Sequence, residues 1–214
     1  MPLGAKPDGK TDSTAALVRA WDAACDSPKP ATIFVPKGGF GEAKAQFSGP
    51  CKTGAIIIRI DDSIIAPSDY SVLGDAEFWL QFKKVDGVSI LGGVLDGQGA
   101  GLWACKSSGK NCPTGVTTLG FSKSNNIAIS GLISLNSQLY HIVFNGCNNV
   151  KLQSVKTGCR RQSQHRRNSR PNLVRRQNLE IETQYRRRLC FHWPRNNQFV
   201  DSGRHLWSWP WHKH

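Results

Sequence analysis

Hydrolysis by side-chain carboxyl groups needs two of them, one to give a proton and one to activate water. The 214-residue sequence holds one adjacent pair, Asp61-Asp62. Side by side, these two read as a solvated turn rather than as an acid and a base facing each other. Cys159, His165, Cys190 and His192 supply thiol and imidazole donors of the kind zinc takes. No C-x2-C or H-x3-H spacing joins them, so neither a metal nor a cofactor is expected. A third constellation lies near the end, where Arg clusters alternate with Trp193, Trp207, Trp209 and Trp211. Guanidinium groups for phosphates and indoles for bases are what a nucleic-acid arm would use.

The charge behind that third pattern is unevenly placed. The formal net charge is +13, but residues 1–157 hold 15 Lys and Arg against 12 Asp and Glu. Residues 158–214 hold 13 against 3. Only Arg19 and Arg59 precede residue 158, while nineteen of the 21 Gly do. So abrupt a break marks a new domain, an unstructured tail or a change of reading frame. The chain therefore divides into 1–157 and 158–214.

A chain of this length buries one sizeable core, and its many glycines suit a turn-rich β protein. No apolar run reaches the roughly 20 residues that span a membrane. The start, Met1-Pro-Leu-Gly-Ala-Lys-Pro-Asp, has no apolar h-region, so no signal peptide is expected. Seven Cys favour an oxidising destination. Cys25 and Cys51 flank an expected strand, and Cys105 and Cys112 close a short polar loop. Each pair is expected either to be bonded or to stay as free buried thiols.

The elements that must carry these residues are short. Thr11-Asp-Ser-Thr caps a helix over 12–25, whose Leu17, Trp21 and Ala24 share one face before Ser27-Pro-Lys-Pro ends it. Apolar runs at Ala31–Val35, Ala55–Ile60, Phe78–Phe82 and Val88–Leu91 read as strands. Asp86-Gly-Val-Ser-Ile90, Asn125-Asn-Ile-Ala-Ile129 and Asn148-Asn-Val-Lys-Leu152 form a repeat: polar turn, β-branched residue, spacer, aliphatic residue. The last two copies are 23 residues apart, and the first is displaced by the Gly- and Cys-rich loop Asp96–Thr114. This period predicts an all-β, right-handed parallel β-helix with the helix over its first coil and Cys147 as a thiol inside the solenoid. On pattern alone, an ordinary β-sandwich stays open.

Leu3-Gly-Ala-Lys-Pro-Asp-Gly-Lys-Thr-Asp, Val35-Pro-Lys-Gly, Phe47-Ser-Gly-Pro-Cys51 and Ala66-Pro-Ser-Asp-Tyr70 resemble plant polygalacturonases of the pollen exopolygalacturonase type. So do Leu95-Asp-Gly-Gln-Gly-Ala-Gly-Leu-Trp-Ala-Cys105, Asn111-Cys-Pro-Thr-Gly115 and Leu135-Asn-Ser-Gln-Leu-Tyr-His141, in one continuous order over roughly residues 2–156. The resemblance, to glycoside hydrolase family 28, implies a β-helix that hydrolyses α-1,4 bonds of polygalacturonate with inversion. It implies pectin as partner, a monomer, secretion to the plant cell wall, and no nucleic acid or membrane. It also places His141 and Gln138 near the substrate cleft, with His141 either lining the groove or serving the structure. Asp96-Gly-Gln-Gly99 is then a loop turn or the outer wall of a sugar groove with Trp103 stacking.

The family's acids come from N-T-D, D-D and G-H-G signatures, and none is spelled out here, so no catalytic residue is assigned. Reading the tail one base later restores them. The single Trp codon forces Gly after the shift, so Trp207, Trp209 and Trp211 become G-x-G-x-G. Codon degeneracy permits the rest: N-T-D from Gln164-His165-Arg166, D-D from Arg187-Arg188, and His from Pro210. Arg stays protonated in proteins and cannot replace a carboxyl group. Three readings follow: a family member inactive as written, a non-catalytic pectin-binding β-helix, or a basic nucleic-acid binder. Coding DNA read one base later from about codon 157 is expected to spell the three signatures in order. Unrelated residues or early stops there would refute the shift.

Overall fold

The computed structural model describes residues 4–8, 11–41, 44–159 and 179–182. Helix α1 (Thr14–Asp26) leads into strands grouped in threes. The first coil holds β1 (Ala31–Val35), β2 (Phe40–Gly41) and β3 (Ala45–Ser48). The second holds β4 (Ile56–Ile60), β5 (Ser63–Ile65) and β6 (Phe78–Lys83). In the third, β7 (Val88–Leu91) and β8 (Val94–Asp96) are followed by α2 (Ala100–Ser107) and then β9 (Thr117–Ser122). The fourth has β10 (Asn125–Ser130), β11 (Ile133–Leu135) and β12 (Ile142–Asn145). A fifth begins with β13 (Asn148–Gln153) and β14 (Lys156–Gly158), and β15 (Leu179–Glu182) follows.

Equivalent strands stack into three parallel sheets, ordered β1-β4-β7-β10-β13-β15, β2-β5-β8-β11-β14 and β3-β6-β9-β12. This is the expected β-helix, and the sandwich alternative is excluded because every pairing between named strands is parallel. The sequence repeat is the register itself. Ile90, Ile129 and Leu152 pair rung on rung, as do Asn125 and Asn148. The second residue of each repeat copy has positive φ: Gly87 at 69°, Asn126 at 53° and Asn149 at 51°. Gly and Asn tolerate that conformation best, which explains the polar turn. Side-chain amides then link the turns, with Asn126 Nδ2 donating to Asp86 Oδ1 at 2.7 Å and Asn149 Nδ2 to Asn126 Oδ1.

Inside the solenoid, like sits on like. Phe47, Phe82, Phe121 and Phe144 occupy one register position in four coils, with ring centroids 4.7, 4.9 and 5.3 Å apart. The strand spacing of about 4.8 Å sets that interval. At the amino-terminal end Trp21 of α1 closes the column, 5.4 Å from both Phe47 and Phe82, and its Nε1 donates to Ser48 O. A bond between Cys25 and Cys51 (Cα–Cα 4.4 Å) ties the end of α1 to the first coil.

Two features depart from the sequence reading. Residues 100–107, read as loop, are helical because Leu102 is fully buried and anchors the segment, while a Cys105–Cys112 bond closes it. Within the stretch expected to lack a fold, Leu179–Glu182 pairs with β13 in parallel register. Apart from these four residues and Gly158-Cys159, that stretch lies outside the described residues. Trp21→Ala is expected to lower unfolding stability by about 3–5 kcal/mol, because it opens the capped end of the column. The urea midpoint of the variant against the parent chain measures this.

Candidate functional site

The long connection from β8 to β9 arches over the ends of β8 and β11, and most residues named for a cleft gather there. Asp96 closes β8, and its Oδ1 accepts from Asn136 Nδ2 on the next coil at 2.8 Å and from Gln98 N at 3.2 Å. Gly99 N donates to Asn136 O at 2.8 Å, and α2 starts from that contact. A Cβ on Gly99 would lie 2.7 Å from Asn136 O and from the Trp103 ring, so the indole rests against bare backbone. Trp103 is half-buried there.

Gln138 lies beneath the same arch. It is 1% exposed, and its Oε1 accepts from Val116 N at 3.3 Å. A Cβ on Gly115 would meet both Leu102 and the Gln138 side chain, so α2 and Gln138 touch at that glycine. Trp103 and Gln138 are therefore neighbours of one arch, although Gln138 faces its underside.

His141 does something else. Ser134 takes the inward position that Ile64 and Leu95 hold in the two preceding coils, and it is fully buried. Its Oγ is 2.8 Å from His141 Nδ1. With the imidazole proton on Nε2, the serine hydroxyl donates to the ring; with it on Nδ1, the ring donates to Oγ. The contact satisfies a hydroxyl placed in an apolar interior, where an unmet one is costly. Ser134 was not legible as a site residue, since nothing in Ile-Ser-Leu distinguishes an inward serine from an outward one.

Asp61 and Asp62 are exposed and hold turns, as expected: Asp61 accepts from Arg59 Nε at 2.9 Å and Asp62 from Gly38 N at 2.8 Å. Cys147 is a buried thiol, and burial raises its pKa. His165, Arg166, Arg187, Arg188, Cys190, His192 and Pro210 lie outside the described residues. Among the described residues, no cluster of three or more His, Cys, Asp and Glu could hold a metal ion. No helix there is long and apolar enough to cross a membrane.

Burial lowers the pKa of His141 from 6.5 to about 4. The folded chain thus binds this proton less readily than the unfolded chain does. Its contribution to stability is whole above about pH 6.5 and falls away as the pH drops toward the folded value. Urea midpoints at pH 7 and pH 5 are expected to differ more in the parent than in His141→Asn.

The Glycosyl hydrolases family 28 profile matches residues 25–175. A protein of Prunus persica named polygalacturonase is 57% identical over 155 residues, covering 72% of this chain and 39% of that protein. An exopolygalacturonase of Zea mays is 37% identical over 156 residues, covering 72% and 38%. The chain thus spans about two fifths of the length of these relatives. In shape it is similar to the endo-xylogalacturonan hydrolase of Aspergillus tubingensis (TM-score 0.60, 22% identity), over 73% of this chain and 42% of that one. Parallel coils in matched register, a profile match over most of the chain and relatives this similar lead to one assignment: the chain belongs to family 28 of the glycosyl hydrolases.

Proposed function

We propose that this chain is the early-coil portion of a polygalacturonase: it engages pectin of the plant cell wall, acts there as a secreted monomer, and as written does not cut α-1,4-galacturonosyl bonds. What supports the substrate class is continuous similarity to proteins named for acting on polygalacturonate. What supports the second half is that none of the family's acid signatures is spelled out in the chain, and that five of its described carboxylates serve local structure. Asp61 and Asp62 hold Arg59 and Gly38, Asp69 holds Ser71, Asp86 holds Asn126, and Asp96 holds Asn136 and Gln98. Inversion at a sugar carbon needs one protonated and one ionised carboxyl group, roughly 6.5–9.5 Å apart, with the bond between them. These five carboxylates each brace local backbone or a neighbouring side chain, and none stands in an N-T-D or G-H-G context.

Trp103 and Gln138 are the cleft residues on this reading. Trp103 gives a flat apolar surface for a sugar face, and Gln138 supports the arch from below. His141 holds the floor of the cleft through Ser134. Arg166, Arg187 and Arg188 would attract an acidic polymer, yet attraction alone does not lower the barrier to cleavage. A reducing-sugar assay on polygalacturonate, beside the protein restored to the alternative frame, tests the proposal. The chain is expected to release nothing above background and the restored protein to release sugar steadily. Equal activity from the two would place the acids elsewhere and overturn it.

A further inference from the structure

From the second coil to the fourth, a tight turn joins the sheet of β6, β9 and β12 to the sheet of β7, β10 and β13. The turn needs a left-handed residue just after the first strand. In successive coils these are Lys84 (φ 55°), Lys123 (φ 52°) and Gly146 (φ 63°). Register and backbone bonds stack them: Lys83 pairs with Ser122, Lys84 N donates to Ser122 O at 2.9 Å, and Lys123 N donates to Asn145 O at 2.8 Å. Neighbouring rungs lie roughly 4.8 Å apart.

Two other left-handed columns run along the same solenoid. One is Gly87, Asn126 and Asn149; the other is Gly92, Gly131 and Ser154. Apart from Ser154 these are residue types that enter the conformation readily. Lysine does not, and nothing about the turn's geometry asks for it. Two lysines in this column carry backbone strain and set like charges on adjacent rungs, where they repel. Lys84 and Lys123 are exposed, and so is Lys83 beside them. Among the described residues the ion pairs are Lys52–Asp26 and Arg59–Asp61, so none of these three lysines is held in a contact ion pair. The nearby Asp86 is bonded to Asn126. Like charges kept together at strained, exposed turn positions point to a ligand that offsets the charge.

We propose that Lys84 and Lys123, with Lys83 beside them, form a binding edge for a linear polyuronate, separate from the arch over β8 and β11. A polymer with one carboxylate on every sugar offers repeated negative charge to ammonium groups repeated by the coils. The identity of the sugar rests on the reading under Proposed function; the edge itself requires only a linear chain of carboxylates.

The test is lysine footprinting on the whole chain. Lysines are modified with an amine-reactive reagent at low salt, alone and with polygalacturonate or polymannuronate, and rates are read by mass spectrometry. Lys84 and Lys123 are expected to be protected severalfold, whereas Lys37 after β1 and Lys156 on β14, also exposed and away from this turn and the arch, keep their rates. In parallel, Lys84→Asn with Lys123→Asn, which suits the left-handed turn, is expected to weaken binding about tenfold, the scale of two exposed ion pairs. Lys37→Asn with Lys156→Asn, the same loss of charge, is expected to change it little. Protection by polymannuronate but not polygalacturonate would sustain the edge and count against the pectin reading. Unchanged rates at Lys84 and Lys123 with both polymers would overturn the edge, as would equal weakening by the two double variants.

Discussion

Rung-on-rung stacking is the constraint from which the rest follows. A single coil of roughly two dozen residues cannot satisfy its own backbone, since its strands carry N–H and C=O groups that point along the solenoid axis. Only the coils above and below can meet them. The same neighbours cover its inward side chains, which is why Phe47, Phe82, Phe121 and Phe144 line up and why Ile90 lies under Ile129 and Leu152. Stability in such a protein is close to a sum of contacts between adjacent coils. The first coil lacks a predecessor, and α1 supplies one through Trp21 and the Cys25–Cys51 bond.

That constraint also decides what chemistry the coils can display. Inward positions are mostly apolar, and the inward hydroxyl of β11 is answered by His141, whereas Thr118 Oγ1 and Gln138 Nε2 are buried without a partner. Outward positions and turns are free to vary, yet several acids there serve the turns themselves. The long arch between β8 and β9 is the place where side chains of different coils meet without belonging to a ladder. Trp103 reaches Asn136 there across Gly99, and Gln138 supports it from beneath.

Much of this was legible before the fold was seen, because the solenoid writes its register into the sequence. The Asn-Asn-β-x-aliphatic repeat gave the parallel stacking and the polar turns, whose left-handed backbone only the structure shows, and α1 was readable from its cap and its Leu17-Trp21-Ala24 face. Of the strands that escaped notice, β2, β5 and β11 are two or three residues long, whereas β9 is six but buried on both faces and so shows no alternation. Segments so short show no period. Helix α2 was missed for a different reason: Gly99, Gly101 and the flanking Cys residues look like a loop, and only the burial of Leu102 makes the turns between them regular. Ser134 was hidden because its importance lies in replacing an aliphatic residue of the preceding coils, a fact of register rather than of composition.

The arch has a bearing on how such chains can be altered. Two copies of the repeat stand 23 residues apart, yet the arch stretches the earlier interval to 39 without disturbing the pairing of Asp86 with Asn125 on either side of it. Loop closure grows only slowly in cost with length. Length within residues 97–116 is therefore the cheapest to vary, provided that Gly97 and Gly99 leave the scaffold, Leu102 stays buried and Val116 rejoins it. A single residue added within β10 enjoys no such tolerance, because it would turn every inward side chain of that strand toward water.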